Sequence, residues 1–145
     1  MTIHQISVFL ENRAGQLAEI TGILADNGID MRAINIAETS DYGVVRLIVS
    51  DAPKASAILL EQGFVLTMTP VVAVSVEDKP GGLAGLLKLL PPAGIDVEYM
   101  YSIFGQIDGR AHMIFRVADN EAAIKVLTAN GIRPICHEDM EGMFN

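Results

Sequence analysis

Ile6, Val8 and Leu10 alternate with Ser7 and Phe9, the period of a strand that buries one face. A glycine-bearing turn follows, and the period then changes. Leu17, Ile20 and Leu24 fall at the spacing that lines up side chains on one stripe of a helix. Gly28 stands where the left-handed residue that ends a helix belongs. From there the pattern predicts a second strand to about Ile36 and a turn at Ser40-Asp41-Tyr42-Gly43. A third strand carries Val45, Leu47 and Val49. A second helix buries Ile58 and Leu59, and a last strand runs from Phe64 to Thr69.

The whole pattern then recurs. Glu11, Gly15, Leu17, Ala18, Leu24, Gly28, Ile29 and Asp30 all return unchanged 66 residues later, from Glu77 to Asp96. Further on, Gln62-Gly63-Phe64 is matched by Asn130-Gly131-Ile132 at a shift of 68, which places a two-residue insertion in the turn around Phe104 to Arg110. A period of this length is too long for a solenoid and fits a small autonomous domain. In the second copy Val72, Val74 and Val76 form the first strand and Leu83, Leu86 and Leu90 the first helix, which Pro91-Pro92 should stop early. A strand to about Ile103 follows, then one with Met113, Phe115 and Val117. A helix with Val126 and Leu127 and a last strand from Ile132 to His137 complete the copy.

The order is β-α-β-β-α-β, twice. The predicted fold class is α+β: two tandem ferredoxin-like βαββαβ units, each a four-stranded antiparallel sheet with two helices on one face. The expected domains are residues 1–69 and 70–145, with 138–145 as a short tail. Only Thr69-Pro70 is left as linker. The face opposite the helices should carry Val44, Arg46 and Ile48 in one copy and His112, Ile114 and Arg116 in the other. Such a mixed face usually meets another sheet or subunit, so mutual covering of the units and a homodimer are both expected.

Composition narrows the function. Half of the residues are apolar, ample for a core. No run reaches the ~18 apolar residues of a membrane span, since Glu61, Lys88 and similar charges interrupt each candidate. Met1 to Arg13 lacks the pattern of a secretion signal, so a cytoplasmic protein is expected. Acidic residues outnumber basic ones 18 to 10, a net charge of −8 that argues against nucleic acid and anionic membranes as partners. The single cysteine, Cys136, excludes an intrachain disulfide and a multi-cysteine zinc site.

The repeated loop between first strand and first helix is the candidate site. A glycine at a helix entrance lets backbone approach a ligand, and the first-turn amides lack intrahelical acceptors. Together with the helix dipole they suit a carboxylate or phosphate. Pro80 is shaped for a helix start, and Asn12 or Asp78 can cap the helix or contact a ligand. Read alone, such a loop is more often a helix cap. Its recurrence together with Asp30 and Asp96, just past the helix ends, suggests more: a carboxylate that pairs with an ammonium while loop amides hold an acid group. That is how an α-amino acid is recognised.

Asn12-Arg13-Ala14-Gly15-Gln16-Leu17 with Gly28-Ile29-Asp30-Met31, and Asp78-Lys79-Pro80-Gly81-Gly82-Leu83 with Gly94-Ile95-Asp96-Val97, resemble the ACT domain. The resemblance covers roughly residues 3–69 and 71–137. It implies a βαββαβ ligand-sensing module of amino-acid metabolism, with amino acids bound at the interface between units. The implied contacts are the loop before the first helix of one unit and the start of the second strand of its neighbour. Carried over, the loop residues are Asn12, Arg13, Ala14, Gly15, Gln16 and Leu17, then Asp78, Lys79, Pro80, Gly81, Gly82 and Leu83. The strand residues are Asp30 and Met31, then Asp96 and Val97. Two departures stand out: Ala14 replaces the usual proline, and Asp78 with Asp96 makes the second site acidic. Of the two copies the first therefore suits a carboxylate better, through Asn12 and Arg13.

Little else carries chemistry. His137 lies between Cys136 and Glu138-Asp139, but neighbours on a strand point to opposite faces, so no metal site is expected. Phosphate-loop, dinucleotide and serine-hydrolase motifs are absent, and no cofactor is expected. The reading is a stand-alone pair of ACT units, not an enzyme, that binds a free amino acid and signals its level to a partner such as an enzyme of amino-acid metabolism. The alternative is a regulatory or structural subunit that binds a metabolic enzyme through its sheet surface without a small ligand.

Overall fold

A computed structural model of the protein describes residues 1–11, 13–38 and 42–144. The chain forms two compact units, one from His4 to Thr69 and one from Pro70 to Asn145 together with Met1–Ile3.

The first unit is built from β1 (Ile3–Glu11), α1 (Gln16–Asp26), β2 (Met31–Glu38), β3 (Tyr42–Val49), α2 (Ala52–Glu61) and the start of β4 (Leu66–Glu77). Its strands lie in the order β2-β3-β1-β4. β1 pairs with β3 antiparallel, Ile6 opposite Leu47 and Val8 opposite Val45. Those residues, with Leu10 and Val49, meet Ile20 and Leu24 of α1 and Ala55 and Leu59 of α2 in one core. Burying each large aliphatic side chain there contributes about 1.5–3 kcal/mol. Asp51 caps α2 by accepting the Lys54 N–H at 3.1 Å. Gly28, at φ +68°, turns the chain out of α1 as its spacing predicts.

The second unit repeats the plan with α3 (Gly82–Leu87), a 3-10 turn at Pro91–Ala93, β5 (Tyr99–Ser102), β6 (Arg110–Arg116), α4 (Asn120–Ala129) and α5 (His137–Phe144). Its core joins Val72, Val74 and Val76 to Leu86, Leu90, Phe115, Ala123 and Leu127. α3 ends at Leu87, and Pro91 opens the short 3-10 turn, which is the early stop that two prolines impose. The insertion sits in the β5–β6 turn, where Gly105, Asp108 and Gly109 all take positive φ.

Several expectations need correction. Thr69-Pro70 is not a linker between strands but part of β4, which runs unbroken from Leu66 to Glu77. Residues 132–136 do not form a ladder strand. Only Ile135 reaches Ala73, its N–H donating to the carbonyl at 2.7 Å, and Pro134 in that stretch has no N–H to give. The second unit therefore has the order β4-β6-β5, three strands rather than four. Finally, residues 138–144 of the expected short tail are helical. They belong to α5, which Asp139 starts by accepting the Cys136 N–H at 2.9 Å. β5 is also shorter than the strand expected up to Ile103, and in the first unit the turn residues Tyr42 and Gly43 already open β3.

On the face opposite the helices, Ile48, His112 and Ile114 are buried, whereas Arg46 and Arg116 are partly exposed. Arg46 donates to Asn35 Oδ1 at 3.0 Å, and Arg116 pairs with Glu98 at 3.4 Å.

Candidate functional site

Both repeated turns are built alike. After β1, the Arg13 N–H donates to the Glu11 carbonyl at 2.8 Å; after β4, Lys79 does the same to Glu77 at 3.0 Å. The chain then swings into its helix through Gly15 or Gly81, each at φ +86°, a conformation that side-chain-bearing residues avoid. Their carbonyls accept the N–H of Glu19 at 3.0 Å and of Gly85 at 2.9 Å. Among the described residues, no side chain caps either helix. Asp78 instead accepts Gln106 Nε2 at 2.6 Å, and its own N–H donates to the Gly109 carbonyl. Asn12 lies outside the described residues. Pro80 precedes the capping Gly81, so it shapes the turn rather than the first helical residue.

The two turns differ at their next residue. A Cβ on Gly82 would lie 2.0 Å from the Glu77 carbonyl oxygen, so backbone packs on backbone there. The first copy has Gln16 instead, 6% exposed, with its Oε1 lacking a hydrogen-bond partner among the described residues. Leu17 packs partly against the first core. Ala14 is exposed in the turn, as are Lys79 and Pro80 in the second, while Leu83 is partly buried.

Charge separates them further. Arg13 is already engaged: its Nη2 lies 3.2 Å from Glu19 Oε2 and its Nε 3.7 Å from Glu11. The small recess beside it, about 170 Å³, is lined by Glu11, Arg13, Glu38 and Tyr42, so acids outnumber bases. At the second turn a recess of about 310 Å³ is lined by Glu77, Lys79, Gly81, Gly82 and Arg110, with Ser75 and Ile132. Lys79 pairs with Glu77. The Lys79 hydrogen bond and charge, helped by Arg110, hold the Glu77 carboxyl below the usual carboxylate range. Arg110 is braced by Ser75, donating from Nε to Oγ at 2.6 Å and from Nη2 to the carbonyl at 3.1 Å.

Arg110 and Ser75 escaped the sequence reading because the repeat was searched for identity. Comparing the copies for difference finds them. Ser75 stands where the first copy has Phe9, and Arg110 where it has Tyr42, and those rings stack at 4.9 Å.

The strand residues sit away from their own loops. α1 separates Gly15 from Asp30 by eleven residues of helix, about 16 Å at 1.5 Å per residue. Asp30 and Gly15 of one unit therefore do not meet on one small ligand. Asp30 is engaged by Arg32 at 2.5 Å, and its N–H donates to Ser50 Oγ at 3.0 Å. Asp96 is exposed; Met31 and Val97 pack partly against the first and second cores. Elsewhere, the Cys136 thiol donates to Asp139 Oδ2 at 3.1 Å, and the described residues hold no cluster of three metal-ligating side chains. No helix among them is long and apolar enough to cross a membrane.

Compared with known families, residues 1–144 match the ACT domain pair. The chain belongs to the ACT domain family. A protein from Bacteroides thetaiotaomicron of known crystal structure is 36% identical, covers 97% of this chain and 96% of its own, and superposes with a TM-score of 0.90. The ligand-free regulatory subunit of aspartate kinase from Thermus thermophilus is 19% identical over 87% of this chain and 90% of its own, with a TM-score of 0.62. The corresponding Thermus flavus subunit is 20% identical over 89% and 93%, with a TM-score of 0.55. These two share the fold of this ACT pair. No curated protein matches the chain. The ACT assignment and the α+β tandem ferredoxin-like class read from the repeat both stand, with the strand count corrected as above.

Proposed function

We propose that this ACT pair is a non-catalytic regulatory protein of the cytoplasm that binds a free amino acid and signals its level to an enzyme of amino-acid metabolism. The observation that carries this reading is the recess at the second turn, where two cations and a carboxylate meet next to a backbone free of side chains at Gly81 and Gly82. An α-amino acid presents the matching groups. The sequence leaned to the first copy for this role. The proposal rests on the second because Arg13 is spent on Glu11 and Glu19. A neighbouring unit, as family membership implies, supplies the far wall through an Asp30- or Asp96-type residue, and a homodimer is one source of it. The domains of the proposal are residues 1–69 and 70–145.

Regulation follows from linkage: a ligand that prefers one packing of units shifts the population toward it, and a partner reads the shift. The kinase subunits of similar fold make an enzyme partner a natural expectation. The test is a thermal-shift screen against the twenty amino acids. A ligand at about 100 times its Kd adds roughly 2.7 kcal/mol of stability. The response should vanish in Gly81→Val and weaken in Asp96→Ala; an unchanged response in both rejects the placement.

One observation favours the second reading, a subunit that docks on an enzyme without a small ligand. Phe9, Tyr42 and Val65 are 44%, 43% and 68% exposed, an apolar area on the first unit. A silent amino-acid screen combined with loss of enzyme capture in Phe9→Ser would establish that reading instead.

A further inference from the structure

The recess at the second turn carries an inventory of charge as well as a place. Its walls hold Lys79 and Arg110 against a single acid, Glu77. Asp78 is drawn off by Gln106 and is not among the lining groups. In a chain whose net charge is −8, this spot is locally positive by one unit. A neutral amino acid offers one carboxylate and one ammonium and leaves a cation without a counter-charge. Arg110 gives Ser75 only its Nε and Nη2 donors, and a guanidinium has five N–H groups. The brace fixes the plane of that fork, which is the arrangement suited to a carboxylate.

From this we infer that the ligand is an acidic amino acid, carrying two carboxylates and one ammonium. The inference rests on the amino-acid reading above and narrows it. One carboxylate meets Arg110, the other Lys79, and the ammonium meets Glu77. The volume, about 310 Å³, is at the small end of ligand cavities and fits one such molecule. The first copy is excluded by the same inventory. Its recess is smaller and lined by Glu11 and Glu38 against Arg13 alone, and Phe9 and Tyr42 occupy the positions of Ser75 and Arg110. Binding is therefore to one site per chain.

The experiment is titration calorimetry on the full chain with L-aspartate and L-glutamate, each paired with its neutral isostere, L-asparagine and L-glutamine. One acid should bind about tenfold or more tighter than its amide, the effect of a hydrogen bond between charged groups, at one molecule per chain. Lys79→Met, on an exposed side chain, and Arg110→Gln should each shrink that preference. The Lys79 variant keeps the test open if loss of the Ser75 brace unfolds the other. An amide that binds as tightly as its acid, two molecules per chain, or an acid preference untouched by Lys79→Met overturns the inference. Tight binding of a neutral amino acid with silent acids defeats this inference and leaves the amino-acid reading standing. A panel in which nothing binds defeats both.

Discussion

Replacing Gly82 with alanine tests the packing at the heart of the second turn. The new Cβ would start 2.0 Å from the Glu77 carbonyl oxygen, whereas real Cβ atoms essentially never come within 3.0 Å of such a neighbour. The two must separate by about 1 Å. Neither is the end of a flexible side chain, so the turn itself has to move. Overpacking of this kind costs about 1–3 kcal/mol, and a backbone collision belongs at the upper end. Gly81→Ala is the internal control. It meets nothing within 4 Å, and its cost is that of holding φ +86°, about 1–2 kcal/mol. Thermal unfolding should place Gly82→Ala roughly 6–12 °C below the parent, with Gly81→Ala between the two. The Gly82 variant should also weaken ligand binding, because the displaced turn lines the recess. If Gly82→Ala is the milder of the two, or leaves the midpoint unchanged, the close approach of the turn to β4 is wrong.

His112 is 6% exposed, its Nδ1 has no partner among the described residues, and burial first, then the charge of Arg110, holds its pKa below 6.5. The unfolded chain thus takes up this proton first, so stability should fall as pH drops below about 6.5 and level off beneath the lowered folded value. Urea midpoints of His112→Gln should lose that part of the slope; an identical slope in variant and parent refutes the argument. Asp139→Ala removes the acceptor for the Cys136 N–H and should cost about 1 kcal/mol, read as an earlier urea midpoint and lower helicity. Leu24→Ala and Leu127→Ala each empty a fully buried position and should cost about 2–5 kcal/mol by the same measurement. A cost under about 1 kcal/mol at either would show that its core is loosely packed.

Much of the fold was legible because it depends on local signals that occur twice. Val45, Leu47 and Val49 face one core and Phe115 with Val117 the other, as the alternation required. Gly15, Gly28, Gly81 and Gly94 all take the positive φ that their places in the turns demand. Illegible were the features set by a single backbone partner. Nothing local to residues 132–137 says that only Ile135 bonds to β4, or that Asp139 reaches back to begin a helix. The turns themselves were legible as glycine-bearing loops, whereas their charge was not. Arg13 looks free in sequence but is bound by Glu11 and Glu19, and Arg110 reaches the second turn from a strand thirty residues away because it sits opposite Glu77 in the ladder.

The exchange of Phe9 and Tyr42 for Ser75 and Arg110 has a further consequence, for how the chain finds its pairings. Two near-copies of one strand in a single polypeptide invite mispairing while the protein is still being made or refolded. Set β1 against β6 in place of β3, and Arg110 would lie opposite Glu11 with the Phe9 ring where Ser75 belongs: the guanidinium would lose its Nε hydrogen bond to the Ser75 hydroxyl, and the rings would lose their stack. The wrong register is thus penalised at the very residues that reward the right one. Making the copies alike again, with Phe9→Ser and Tyr42→Arg together, should lower the yield of correctly refolded protein far more than it lowers the stability of what does refold.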